Sequence, residues 1–262
     1  MRILAIGDAV GKLGCEFIKA KLLMLKKAKN IDMVIANGEN SAEGNGILPV
    51  TAENLFSSGV DVITTGNHTF RRKEIRPYLD ENMFILRPAN YPQATTPGRG
   101  FYKFDMGKLK VCVINLLGTV YLESLENPFD VIDRILEESK DCKIRIVDFH
   151  AEATAEKRAL GYYLDGKVSA LFGTHTHVQT SDECILPMGS GYITDVGMTG
   201  VIHSVLGVKY EISIKRMKEK LPIKFENAQG ACKMECAIFD INEETGKCVG
   251  VERLRITPQF KI

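Results

Sequence analysis

The stretch Arg2-Ile3-Leu4-Ala5-Ile6-Gly7-Asp8 decides how the rest of the chain is read. Its unbroken apolar run reads as a buried strand, and a carboxylate stands where the run stops. Working outward, the same unit recurs. Met33–Asn37, Asp61–Thr65, Arg145–Phe149 and Ala170–Gly173 are rich in Val, Ile and Leu and read as further buried strands. Helical patterns lie between them. Cys15–Lys29 carries Phe17, Ile18, Leu22 and Leu25 near 3.6 spacing, with lysines on the opposite face. Thr51–Ser58 is expected to be capped by Thr51, Val131–Ser139 follows a Pro-Phe-Asp start signal, and Thr154–Leu164 is a fourth candidate. Strands alternating with helices argue for an α/β layered fold.

Three pairs of segments break the alternation. Phe101–Asp105 with Lys110–Asn115, Cys184–Pro187 with Tyr192–Asp195, and Glu235–Asn242 with Cys248–Ile256 each flank a short Gly-containing turn and read as antiparallel hairpins. The expected fold class is therefore α/β, a layered sandwich of mixed β-sheets flanked by helices rather than a parallel barrel. No repeat, low-complexity tract or linker divides the chain, so residues 1–262 read as a single domain.

Composition excludes several classes. At 45% hydrophobic and 26% charged, the 262 residues match an ordinary globular domain able to bury a sizeable core. Lys plus Arg (34) against Asp plus Glu (33) leaves a net charge of +1, so no global field draws nucleic acid or an anionic membrane. No apolar run approaches the roughly 20 residues of a membrane-spanning helix. The N-terminal run is cut short by Asp8 without a small-residue cleavage site, which argues against a signal peptide. The seven cysteines are odd in number and lack framework spacing, and read as free thiols of a cytoplasmic protein. Cys232 and Cys236 are four apart, but no second Cys/His pair accompanies them as a metal site would need.

The informative feature is which polar residues sit where strands end. Asp8 ends the first; Gly38-Glu39-Asn40 ends the second; Gly66-Asn67-His68 ends the third. His150 follows the strand at Arg145, and Gly173-Thr174-His175-Thr176-His177 follows the one at Ala170. Ligands of layered α/β folds collect beyond the carboxyl ends of strands. Four of the chain's five histidines occupy such positions, which scattered core or surface histidines would not do. Carboxylate, amide oxygen and imidazole suit Mn, Fe or Zn, and the absence of thiolate argues against a Cys-type zinc site. Seven such groups exceed what one tetrahedral ion takes and suit two ions sharing a carboxylate, an arrangement fitted to phosphoryl displacement.

These blocks resemble, in order, those of the calcineurin-like metallophosphoesterase superfamily. The longer strings Ile6-Gly7-Asp8-Ala9-Val10-Gly11, Ala36-Asn37-Gly38-Glu39-Asn40-Ser41, Thr65-Gly66-Asn67-His68-Thr69-Phe70, Asp148-Phe149-His150-Ala151-Glu152 and Asp195-Val196-Gly197-Met198-Thr199-Gly200 resemble the narrower YmdB-like bacterial phosphodiesterase family. Two departures from the wider superfamily stand out: Val10 replaces the histidine of Asp-x-His, and Glu39 replaces a bridging aspartate. Both fit the subgroup.

The resemblance implies a metal-dependent phosphoric diester hydrolase with two divalent or trivalent transition-metal ions, iron or manganese. It implies Asp8, Glu39, Asn40 and His177 on one ion and Glu39, Asn67, His150 and His175 on the other, with Glu39 bridging. Small phosphodiesters, either 2′,3′-cyclic nucleotides or 3′,5′-cyclic AMP, would be attacked by a metal-bridging hydroxide. His68, next to a ligand, is assigned as general acid. A phosphomonoesterase with the same site, or a non-catalytic metal-binding regulatory protein, remains open at this point. The resemblance is also compatible with homo-oligomers and, since a 2′,3′-cyclic phosphate is an RNA-end product, with RNA; composition supports neither. If the chain stays extended past Ala170–Gly173, His175 and His177 share a face and each approaches a different ion.

Other residues carry competing readings. Asp8, Asn40 and Asn67 can each be turn residues taken singly, but that leaves the five segments together unexplained. His203 reads as a loop residue, Lys26-Lys27 as a solvent face, and Arg71-Arg72-Lys73 as a solvated helix start in preference to a phosphate contact. Asp148 and Asp195 are candidates to orient histidines, with ordinary strand-end hydrogen bonding an equal alternative. Tyr91–Thr96 and Thr199–Val208 read as loops walling the pocket.

Overall fold

A computed structural model describes residues 1–260. In chain order the elements are β1 (Arg2–Ile6), β2 (Asp8–Ala9), α1 (Gly11–Ala28), β3 (Met33–Asn37), α2 (Pro49–Ser57), β4 (Val62–Thr64), α3 (Ile75–Glu81), β5 (Ile85–Leu86), β6 (Phe101–Asp105) and β7 (Lys110–Leu117). They continue with α4 (Pro128–Glu138), β8 (Ile144–His150), α5 (Thr154–Tyr163), β9 (Ala170–Thr174), β10 (Cys184–Ile185), β11 (Gly191–Ile193), β12 (Met198–Val201), α6 (Tyr210–Glu219), β13 (Cys232–Ile241) and β14 (Cys248–Ile256).

Two mixed sheets pack face to face. The eight-stranded sheet runs β2-β12-β13-β1-β3-β4-β5, with β14 on β13; the six-stranded sheet runs β10-β11-β9-β8-β7-β6. Strands β1, β3, β4 and β5 are mutually parallel, as are β7, β8, β9 and β11. All three expected hairpins are antiparallel ladders. Side-chain alternation explains the layering. On β1, Ile3 and Ala5 face the other sheet and meet Val113, Ile146 and Phe172 in one core, while Leu4 and Ile6 face outward beneath Ile18, Leu22 and Leu25 of α1. A matching outer layer joins Ile114, Val147 and Leu171 to Val131, Ile132 and Ile135 of α4 and Leu160 of α5. Strands covered on both faces must be apolar throughout, which is why they read as runs.

Several expectations need correction. Thr51 does not cap α2: Leu48 is the capping position, and the Thr51 hydroxyl accepts from its backbone N–H at 3.0 Å. Helix α4 begins three residues earlier than expected, at Pro128, because the Asn127 side chain accepts from the Phe129 N–H at 3.0 Å and Pro suits the first turn. Helices α3 and α6 are additions to the expected set. Thr199–Val201 is strand rather than loop.

Parallel strands point their carboxyl ends the same way, and both sheets do so at one edge of the sandwich. Asp8 follows β1; Glu39 and Asn40 follow β3; Asn67 and His68 follow β4; His150 closes β8; His175 and His177 follow β9. Among the described residues, no helix is long and apolar enough to cross a membrane.

Candidate metal centre

The nearest approach of donors is around His150. Its Nε2 lies 3.3 Å from Glu39 Oε1, 3.1 Å from Asn67 Oδ1 and 3.0 Å from His175 Nδ1. Glu39, His150 and His175 offer donor atoms within 4.8 Å of one another. Neighbouring ligands of a cation with bonds near 2.1 Å stand about 3 Å apart, so this spacing matches a coordination shell. A second group forms around His177, whose Nε2 lies 3.5 Å from Asp8 Oδ1 and 3.3 Å from Asn40 Nδ2. Glu39 stands between the groups, with Oε1 also 3.0 Å from Asn40 Nδ2. All seven residues named as ligands from sequence therefore meet in one place.

Local backbone explains how. A Cβ on Gly66 would sit 2.2 Å from the His150 ring and 2.5 Å from Glu39 Oε2, so only glycine lets the β4 turn pass beneath both groups. Glu39 Oε2 then accepts from the His68 N–H at 2.9 Å, and Asp8 Oδ2 from the His175 N–H at 3.1 Å. The expected extended path through His175 and His177 is not what forms. Both adopt positive φ, 100° and 62°, so the chain turns sharply and sends each imidazole to a different group. Non-glycine residues pay about 1–3 kcal/mol each for such backbone, which persists only when surroundings enforce it. Here the enforcement is a fully buried ion pair: Lys157 Nζ lies 2.8 Å from Asp195 Oδ2 and donates to Thr174 O at 2.7 Å, while Asp195 Oδ2 accepts from Thr176 N and Oγ1. Asp195 thus acts on the turn and touches no imidazole. Asp148 likewise reaches His150 through other groups: the Thr174 hydroxyl, which donates to Asp148 Oδ1 at 2.7 Å and lies 2.9 Å from His150 Nδ1, and the Asn37 amide, 3.1 Å from Asp148 Oδ2 and 3.3 Å from His150 Nδ1.

Each imidazole has an oxygen on its outer nitrogen. His150 has Thr174 Oγ1, His175 has Glu152 Oε2 at 2.9 Å, and His177 has the Leu206 carbonyl at 3.0 Å. That is the usual support of a metal-bound histidine. Sequence reasoning misses Thr174, Leu206 and Lys157. Thr174 and Glu152 lie in quoted strings and Leu206 in a segment read as pocket wall, but none of them is given this role.

The electrostatics also call for positive charge. Asp8 Oδ1 is fully buried and has no hydrogen-bond partner among the described residues. Burial works to raise the Asp8 carboxyl, yet the charge of His177, whose Nε2 lies 3.5 Å from that oxygen, carries it below its ordinary value. Glu39, equally buried, is held well below the carboxylate range by His150 and His68. Burial alone would lower His150, but Glu39 and Asp8 push it up to about 9. Burial and then the charge of His150 push His175 down to about 4. His177 is raised by Asp8 against its own burial. In each donor group a buried carboxylate thus draws one imidazole toward its charged form, which marks both groups as places that favour positive charge.

His68 lines the cavity above these groups. Its Nδ1 is 3.0 Å from both Asn40 Oδ1 and Glu39 Oε1, which leaves Nε2 without a protein partner among the described residues. The cavity measures about 910 Å³ and runs from Glu39, His68 and His177 to Val205, Leu206 and Val208. Tyr91–Thr96 is not part of its wall. Tyr91 packs edge-on against Phe70 and hydrogen-bonds Glu123 at 2.7 Å instead. Arg72 is tied to the backbone carbonyl of Asn45 at 3.0 Å and serves as a loop strut. His203 lies in an exposed bend.

A two-sheet sandwich with this donor cluster at one edge defines the metallophosphoesterase class of fold. A 5′-nucleotidase precursor from Thermus thermophilus shares the fold at 11% identity, with a TM-score of 0.62 over 99% of this chain and 55% of that one. The match to the YmdB-like protein family spans residues 4–254, and the chain belongs to that family. A 2′,3′-cyclic-nucleotide 2′-phosphodiesterase of Bacillus subtilis (strain 168) is 45% identical over 98% of this chain and 97% of its own. The crystal structure of a novel phosphatase from Mycoplasma pneumoniae superposes with a TM-score of 0.93 at 36% identity, covering 98% of this chain and 93% of that one.

Proposed function

We propose that the chain is a dinuclear metal-dependent hydrolase of small phosphodiesters, with 2′,3′-cyclic nucleotides as its substrates. The observation that carries this reading is the meeting of seven carboxylate, amide and imidazole side chains from five segments, one of whose buried oxygens, Asp8 Oδ1, has no hydrogen-bond partner among the described residues. The Bacillus subtilis relative supplies the substrate class. Asp8, Glu39, Asn40 and His177 would hold one ion, and Glu39, Asn67, His150 and His175 the other. Their mixed oxygen and imidazole character suits iron or manganese. When bound, such ions generate a nucleophile from water near neutral pH and neutralise charge developing on the phosphate.

The chain's own residues do the rest. Asn40 faces the first group with its amide nitrogen, so giving an oxygen to a cation requires the amide to turn over. His68 holds Nδ1 3.0 Å from the Glu39 carboxylate, an acceptor whichever way the Asn40 amide is turned, so a proton carried by the ring's other nitrogen sits at Nε2. That proton is the one available to a departing ribose oxygen, which makes His68 the general acid. Val205, Leu206 and Val208 give the cavity an apolar wall on one side. All seven cysteines are unpaired, in keeping with a cytoplasmic protein.

Purified protein reconstituted with manganese or iron should hydrolyse bis-p-nitrophenyl phosphate. Alanine at Glu39 or Asn67 should abolish turnover and lower the metal content found by elemental analysis; unchanged turnover in either variant removes the assignment. The name of the Mycoplasma relative favours a second reading, phosphomonoester hydrolysis at the same site. Comparing kcat/KM on matched mono- and diesters, an RNA 2′,3′-cyclic end among them, separates the two.

A further inference from the structure

The cavity is far larger than a phosphate needs, and its outer half is built by a segment the hydrolytic chemistry does not use. Residues 208–227 leave the sandwich and return as a closed excursion. Val208 bridges to Asn227, and the Lys209 N–H donates to Glu226 O at 3.0 Å. Helix α6 lies within it and buries only Ser213. Its apolar side chains are thus not there to build a core. Met217 is 66% exposed, Leu221 58% and Phe225 40%, and all three line the same cavity as Glu39, His68 and His177. Arg216 packs its guanidinium over the Phe225 ring, 4.4 Å from the centroid.

Two physical points limit what can fill this half. Exposed apolar side chains gathered on a cavity wall are stabilised by an apolar occupant that removes them from water. An aromatic ring carrying a guanidinium offers a flat surface suited to a planar π-system, the pairing used for unstacked nucleobases. Because the cavity is continuous, an occupant joined to a phosphoester reaches the donor cluster from the same wall.

We propose that Phe225, with Arg216 packed on its ring, is the platform on which the nucleobase of the substrate stacks while its cyclic phosphate lies at the donor cluster. This deepens the hydrolase reading and rests on it. Stacking recognises a face rather than an edge, so the platform favours nucleotides over base-free cyclic phosphates and discriminates little among bases.

Because the chain contains no tryptophan, Phe225→Trp installs a single fluorescent reporter at the platform. In metal-loaded Phe225→Trp protein, adenosine 3′-phosphate should quench the emission and methyl riboside 3-phosphate, which lacks the base, should not. In Phe225→Ala, the ratio of kcat/KM for 2′,3′-cyclic AMP to that for methyl riboside 2,3-cyclic phosphate should fall by about 5–150-fold, the equivalent of about 1–3 kcal/mol for one stacked base. Phe225→Trp should keep that ratio. Equal quenching by the two phosphates, or an unchanged ratio, overturns the platform while leaving hydrolysis intact. So does emission that depends on protein concentration rather than ligand, the sign of a second copy on this face. Selective quenching in a protein that hydrolyses no phosphodiester keeps the platform and removes the hydrolase reading.

Discussion

The two sheets contribute unlike halves to the centre. The eight-stranded sheet delivers oxygen: Asp8, Glu39, Asn40 and Asn67. The six-stranded sheet delivers nitrogen: His150, His175 and His177. The halves are also held differently. Carboxylates accept several hydrogen bonds, so backbone N–H groups fix them: that of His68 on Glu39 and, from the other half, that of His175 on Asp8. An imidazole aimed with one nitrogen must be fixed through the other, and that calls for an oxygen from elsewhere in the chain. Thr174, Glu152 and the Leu206 carbonyl fill this need. Glu39 is therefore held from within its own sheet and Asp8 by backbone of the other half, whereas each imidazole needs a separate oxygen, two of them at the ends of β8 and β9 and one in the distant loop at Leu206.

His68 is the one imidazole that the oxygen half presents, and it has no oxygen on its cavity-facing nitrogen. If it serves proton transfer rather than coordination, His68→Ala should lower kcat by about 10²–10⁴-fold with metal content unchanged. Elemental analysis beside steady-state kinetics checks this. A parallel loss of metal would move His68 into the ligand set and blur the distinction between the halves.

What can be read from sequence follows the same division. Strands covered on both faces announce themselves as apolar runs, and the oxygen donors follow those runs directly, so Asp8, Glu39 and Asn67 are legible without coordinates. The props of the nitrogen half are not. Lys157 lies in a helix whose other charges are ordinary, and nothing local shows that its ammonium is buried against Asp195. The turn at His175 and His177 violates the local preference of histidine backbone, so extended continuation is the natural and wrong expectation. Helix α6 escapes because it buries only Ser213 and so has no apolar core face, and short β2, β5 and β12 carry too few residues for a periodic signal.

The buried pair under the nitrogen half should have the next largest effect, on stability as much as on chemistry. Lys157→Met leaves Asp195 without its cation in a site where both side chains are 1% exposed. Stranding one member of such a pair costs about 3–5 kcal/mol. Urea denaturation should show a lower midpoint at similar slope, and Lys157→Met with Asp195→Asn should regain part of the loss. Because Asp195 also accepts from Thr176, the double variant should still bind metal less tightly than wild type. Recovery of stability and metal affinity together would mean that the turn needs no anchor.

The smallest expected effect is the most selective. Thr174→Val keeps the shape of the side chain and removes only the hydroxyl between Asp148 and His150. His150 Nδ1 then keeps the Asn37 amide at 3.3 Å, a group that donates and cannot receive the proton of a metal-bound imidazole. Loss of such a support typically costs about 10–100-fold in metal affinity or activity. The equivalent change in the oxygen half is Thr69→Val, which removes a hydroxyl bonded to Thr65 and to the Gly66 carbonyl and touching no donor side chain. It should leave metal affinity near that of wild type. Metal titration of the two variants side by side therefore measures the asymmetry itself: equal losses would show that both halves lean on side-chain props, and no loss at Thr174 would show that the strand ends alone hold the imidazoles.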